Sequence, residues 1–241
     1  MALGSQSRWT VRPAAGPQIG IDAGLRDYML RIYNYMASGL ALTGIVAYLF
    51  AHSPVYAQVA HTPLIWLIML APLGLVMWLS YGISRMSAST AQALFWVFAA
   101  VMGLSMASIF MQFTGESIAR VFFITAGTFA AMSLYGYTTQ RDLSQMGSFM
   151  MMGLFGIIIA SVVNIFLASS ALQFAISVIG VIVFIGLTAW DTQRIKAMYF
   201  EIDHSDGQIA GKTAIMGALT LYLDFINLFI MLLQLLGVRR D

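Results

Sequence analysis

The chain contains no cysteine, which excludes disulfides, thiolate metal sites and cysteine nucleophiles. Charge is scarce as well. Charged residues make up 9% of the 241 positions, where a soluble domain carries about 25%. The twelve basic and ten acidic residues nearly balance, and the basic ones are scattered rather than clustered. No patch of the kind that grips nucleic acid is present. What abounds is apolar: 60% hydrophobic residues, with 17 methionines and 21 glycines. That is the composition of a polytopic membrane protein, whose small residues let helices approach one another.

A helix crossing a hydrocarbon core of ~30 Å needs about 20 residues. Seven windows qualify, near 29–51, 63–84, 90–112, 118–139, 147–168, 171–198 and 212–236. The separators between them are short and rich in turn residues. The expected fold is therefore an all-α seven-helix transmembrane bundle forming one domain, 29–241. Residues 1–28 read as a short polar cytoplasmic tail, disordered to about Gly20, with no apolar stretch of signal-peptide type. Pro72 falls inside the second span, where neighbouring helices must satisfy the carbonyl it frees. With the N-terminus inside, nine basic residues lie on the inner side and three, Arg120, Arg239 and Arg240, on the outer. This satisfies the positive-inside rule. The terminal "VRRD" resists an outer placement, so a re-entrant last segment is the alternative to a full crossing.

Two aspartates interrupt the apolar runs: Asp191 in "GLTAWDTQR" and Asp224 in "LYLDFINLF". Asp191 stands 16 residues before Gly207 and Asp224 stands 17 after it. A helical hairpin turning near Gly207 brings them level. Gly217, Thr220, Asp224, Asn227, Met231 and Gln234 recur at helical spacing on the last span. Ser177, Gly180, Thr188 and Asp191 do the same on the sixth. Polar stripes facing lipid would be costly, so both face the protein interior or a water path. Two carboxylates side by side away from water do not both stay ionised, and one shared proton is the expected ground state. A divalent cation could replace that proton. Calcium takes hard oxygen ligands, about 6–8 of them. Asp191, Asp224, Thr192, Gln193 and Asn227 supply that atom type, enough for transient binding but not for a closed cage. The plainer reading is that each Asp caps a broken helix or bonds a neighbour.

Other polar positions weigh less. Arg85, at the inner end of the second span, is a possible ion-pair partner for an ionised Asp, or a simple positive-inside anchor. Asn34 and Asn164 read as interhelical hydrogen-bond partners. His52 and His61 lie in the first outer loop without a third ligand, and His204 lies in the last inner loop. Tyr33, Tyr35 and Tyr48 read as interface belt and packing.

The pair "GLTAWDTQ" (186–193) and "LYLDFINLF" (221–229), preceded by "SLYGYTTQRDLSQMGSF" (133–149), resembles the signature of the transmembrane Bax inhibitor motif family, in its bacterial form. The likeness runs from about Asp27 to the end. The resemblance implies a bundle with the seventh helix at the centre, enclosed by the other six. It also implies a pH-sensitive calcium leak in which Asp191 and Asp224 are the pH-sensing pair. Bacterial relatives are linked to regulation of a membrane-bound protease, and eukaryotic ones to suppression of cell death.

The rival readings discriminate on residues. An intramembrane aspartyl protease needs Gly-x-Gly-Asp, whereas Leu221, Tyr222 and Leu223 precede Asp224. A retinal protein needs a lysine in the middle of the seventh span, and Lys212 lies at its edge. No inverted repeat of transporter type is visible. The expectation is a non-enzymatic calcium leak channel of the bacterial cytoplasmic membrane. It would bind protons and calcium transiently and hold no tight cofactor. A non-conducting regulator that binds a membrane protease or another membrane protein is the alternative.

Overall fold

The computed structural model describes residues 23–202 and 206–240. The expected disorder before Gly20, and His204, lie outside these. Among the described residues eight α-helices follow one another: α1 Ala23–Ala51, α2 Pro54–Ala60, α3 Leu64–Gly82, α4 Ala88–Gln112, α5 Gly115–Thr138, α6 Ser144–Leu167, α7 Ser170–Glu201 and α8 Gly207–Leu236. All but α2 are long and apolar enough to cross a membrane. The seven windows read from the sequence coincide with these helices to within a few residues, except at two N-termini. The first helix begins six residues earlier, at Ala23, and the last five earlier, at Gly207. The short α2 falls where the sequence predicts a loop. Ser53 caps it by accepting from the Tyr56 amide, with Pro54 in its first turn, a combination that starts a helix even in seven residues. Pro72 lies buried within a continuous α3, and the Ser105 hydroxyl of α4 donates across to the Met69 carbonyl at 3.4 Å.

The bundle is built around α8. Fourteen of its residues are buried. It packs against α1, α4, α5 and α7, while α3 leans on α4 and α6 on α7 in an outer layer. Close approaches rest on glycine. A Cβ at Gly103 of α4 would lie 2.7 Å from the Thr43 carbonyl oxygen of α1, and one at Gly180 of α7 would lie 2.7 Å from the Met231 sulfur of α8. A Cβ at Gly136 of α5 would collide with the Ala189 carbonyl of α7. Without a hydrophobic drive between helices in lipid, such contacts supply the dispersion attraction that holds them together.

The two ends of the bundle are tied separately. At the end where α1 begins, Gln208 on α8 accepts from the Ala88 amide at 2.8 Å, satisfying an orphan donor of α4. Gln193 on α7 accepts from the Leu143 amide at 2.9 Å and donates to the Arg141 carbonyl at 2.8 Å, which pins the 139–143 turn. At the far end the residues after α8 pair with the α4–α5 turn. Thr114 donates to the Val238 carbonyl at 3.0 Å and Arg240 to that of Gln112 at 2.9 Å. Helix α8 therefore runs the full depth of the bundle, with Arg239 and Arg240 at the far end. The re-entrant alternative does not hold.

Candidate acid-pair site between the last two helices

Asp191 lies on α7 ten residues before Glu201, about 15 Å along the helix axis. Asp224 lies on α8, and the antiparallel crossing brings the two carboxyls close enough for each to act on the other. A bond between two carboxyls requires a proton on one of them. Asp191 is 7% exposed and Asp224 5%. The second oxygen of Asp224, Oδ2, has no hydrogen-bond partner among the described residues. A buried unpaired carboxyl oxygen is costly unless a proton, water or cation meets it.

The surroundings sort the other predicted residues. Asn227, one turn beyond Asp224, donates to the Leu223 carbonyl at 2.9 Å, and its side-chain oxygen has no hydrogen bond among the described residues. Thr192 donates to the Thr188 carbonyl at 2.7 Å, and its oxygen meets Ser133 of α5 at 3.1 Å. Gln193 does not belong to the site, since both ends of its amide are engaged with the 139–143 turn. Two residues along a helix from Asp191, it points to the opposite side. Arg85 is exposed and takes part in no ion pair among the described residues. The basic side chain whose charge acts on Asp191 is instead Arg194, three residues on. Arg194 also lies over the Trp190 ring at 5.5 Å. No group of three or more His, Asp or Glu side chains able to hold a metal occurs among the described residues.

Of the two asparagines, Asn164 joins α6 to α7 by donating to Gln173 at 3.2 Å and accepting from the Ser169 amide at 3.0 Å. Asn34 is exposed on α1, and its side chain makes no such bond among the described residues. Tyr35 packs edge-on against Phe95, and Tyr48 lies against His52 and Phe110. Outside the spans, the Ser144 hydroxyl and then the Ser144 amide, which Asp142 accepts from at 2.9 Å, hold the Asp142 carboxyl below the usual range.

Two polar clusters escaped the sequence reading. Tyr222 is fully buried, its hydroxyl 2.6 Å from that of Thr43, which donates to the Ala99 carbonyl at 2.8 Å. Tyr33 of α1 reaches the Ser133 and Thr192 hydroxyls, one residue from Asp191. The available signal was a hydroxyl inside an apolar window, which by itself does not tell a bond across helices from one to the same helix's backbone.

The fold and site define a seven-helix membrane protein whose central helix shares an acid pair with the helix before it. The family model described as Inhibitor of apoptosis-promoting Bax1 matches residues 25–241, and the chain belongs to that family. It is 53% identical to an uncharacterized protein of Rickettsia prowazekii, over 91% of this chain and 93% of that one. It is 50% identical to the inner membrane protein YbhL of Escherichia coli K12, over 90% and 94%. An uncharacterized protein of Caulobacter vibrioides is 42% identical over 95% of each chain.

Proposed function

We propose that the protein is a pH-sensitive calcium leak channel of a bacterial cytoplasmic membrane, N-terminus inside, in which the Asp191–Asp224 pair is the sensor. The observation that carries this reading is the contact between two buried carboxyls, one of which keeps an oxygen with no partner among the described residues. A proton held between the pair ties α7 to α8. Its loss leaves two like charges in a poorly solvated place, and a cation entering with water relieves them. Proton and calcium thus compete for one site. With Asn227 and water the donor set suits passing occupancy, so no tightly held cofactor is invoked, and no enzymatic step is assigned. The element with two positions is α8 against its ring. The similarity to an inner membrane protein supports the choice of membrane, and the basic residues at the α1 end support the orientation.

The test is calcium flux into dye-loaded liposomes holding the purified protein, followed across pH. Wild-type flux should change with pH, and Asp191→Asn and Asp224→Asn should each remove that dependence. Flux and pH response unaltered in both variants would refute the mechanism and favour the regulatory reading.

A further inference from the structure

We infer that the furrow between α1 and α5 is a binding site for one bilayer phospholipid, with its acyl chain in the furrow and an anionic headgroup at Arg26. Helices α1 and α5 both pack on α8 and approach each other more sparsely, with Tyr33 of α1 near Ser133 of α5. The space between them is a cavity of about 650 Å³, within the about 300–1,000 Å³ typical of small-molecule sites. Phe225 of α8 forms its floor and Met36, Leu40 and Phe129 part of its walls. Leu40, Phe122 and Phe225 also line a smaller cavity of about 90 Å³, which extends the apolar track toward the far end.

The furrow has a direction. From Arg26 to Ala41 along α1 is about 22 Å, as long as a chain that starts at headgroup level and passes the midplane of a ~30 Å core. The polar side chains Tyr33, Ser133 and Tyr137 line the half of the furrow on the Arg26 side, and the lining beyond Tyr33 toward Ala41 and Phe122 is apolar. Arg26 is the single charged residue along the lining and joins no ion pair among the described residues. A cation above an apolar slot that opens sideways into lipid matches a phosphate with a hydrocarbon tail. A transmembrane helix from a partner would need a groove that continues at similar size to the far end, and here the space falls from about 650 Å³ to about 90 Å³ where the two cavities share Leu40, Phe122 and Phe225. The site is separate from the acid pair and does not depend on the function proposed for it.

Native mass spectrometry of protein released from nanodiscs of phosphatidylglycerol and phosphatidylcholine, mixed one to one, tests the inference. Wild type should retain one phospholipid, with phosphatidylglycerol favoured. Ala37→Trp combined with Ala130→Trp fills the slot from two exposed positions and should cut retention at least tenfold. Arg26→Gln should keep the lipid but lose the preference between headgroups. Because the chain has no cysteine, Ala130→Cys can be capped with a bulky maleimide after folding. This gives the same readout should the tryptophan variant fail to fold. Retention unchanged by the maleimide would overturn the inference. So would disulfide-linked dimers of unmodified Ala130→Cys, which would place a second copy in the furrow.

Discussion

Helices α6 and α7 are neighbours in the chain, joined by the turn at Ala168 and Ser169, and their most apolar windows have equal mean hydropathy. Yet α6 buries two residues, Gly147 and Ile157, and α7 buries twelve. Hydropathy reports that a helix can sit in a bilayer. It does not report whether lipid or protein surrounds it, because lipid tails and buried leucines are equally apolar. What separates the two helices is the distribution of small and polar side chains. Buried residues of α7 include Ser177, Thr188, Asp191 and Thr192, whereas the flank of α6 away from α7 carries Phe149, Phe155, Ile159 and Phe166, all exposed. The helix packed against the centre is the one whose polar interruptions are buried, since only protein neighbours can satisfy them.

The contrast breaks most sharply at glycine. Gly136→Leu on α5 would drive a side chain into the Ala189 backbone of α7. Backbone cannot yield as a flexible side chain can, so a loss of about 3 kcal/mol or more is expected. A Cβ at Gly156 on α6 meets nothing within 4 Å, and Gly156→Leu should change stability by no more than about 0.5 kcal/mol. Unfolding in mixed micelles under increasing denaturing detergent reads both. Similar losses in the two variants would mean that α6 is covered by something other than lipid.

A gentler probe compares hydroxyls. Tyr222→Phe removes the bond to Thr43 at the centre, and a net loss of about 1 kcal/mol is expected in the same unfolding measurement. Thr43 keeps its bond to Ala99, so no new orphan donor is created and the loss should stay near that value. Tyr81 on the outer helix α3 is 82% exposed, and Tyr81→Phe should leave the unfolding midpoint unchanged.

The same contrast governs what could be read before any coordinates. The spans were legible because each is an uninterrupted apolar window closed by turn residues, and that property is local. The acid pair was legible because a hairpin converts sequence distance from Gly207 into height. The role of Gln193 was not, since it depends on a contact with residues 141–143 some fifty positions away. Arg85 failed as a partner for the same reason. Being at the right membrane face says nothing of which neighbour intervenes, and Arg194 already occupies the nearer position in sequence. The pairing of the tail after α8 with the α4–α5 turn also lay beyond reach. It uses backbone groups, which carry no residue signature. The resemblance to a family placed the seventh helix at the centre, and the structure adds that four helices, not six, form its immediate walls.

The smallest effect is expected where a polar contact faces water rather than protein. Glu116 and Arg120 form an ion pair at 2.7 Å one turn apart at the start of α5, with both side chains well exposed. The distance is close to the 2.6 Å of the buried Tyr222–Thr43 bond, so length alone would rank them together. Environment ranks them apart. Water and salt compete for the exposed pair, and ordering two long side chains offsets most of the attraction. Glu116→Gln should therefore leave the unfolding midpoint where it is, at low salt and at high. A clear loss on this substitution would mean that the far end of α5 is shielded from solvent, and the division between a protein-lined centre and an open periphery would need redrawing at that end.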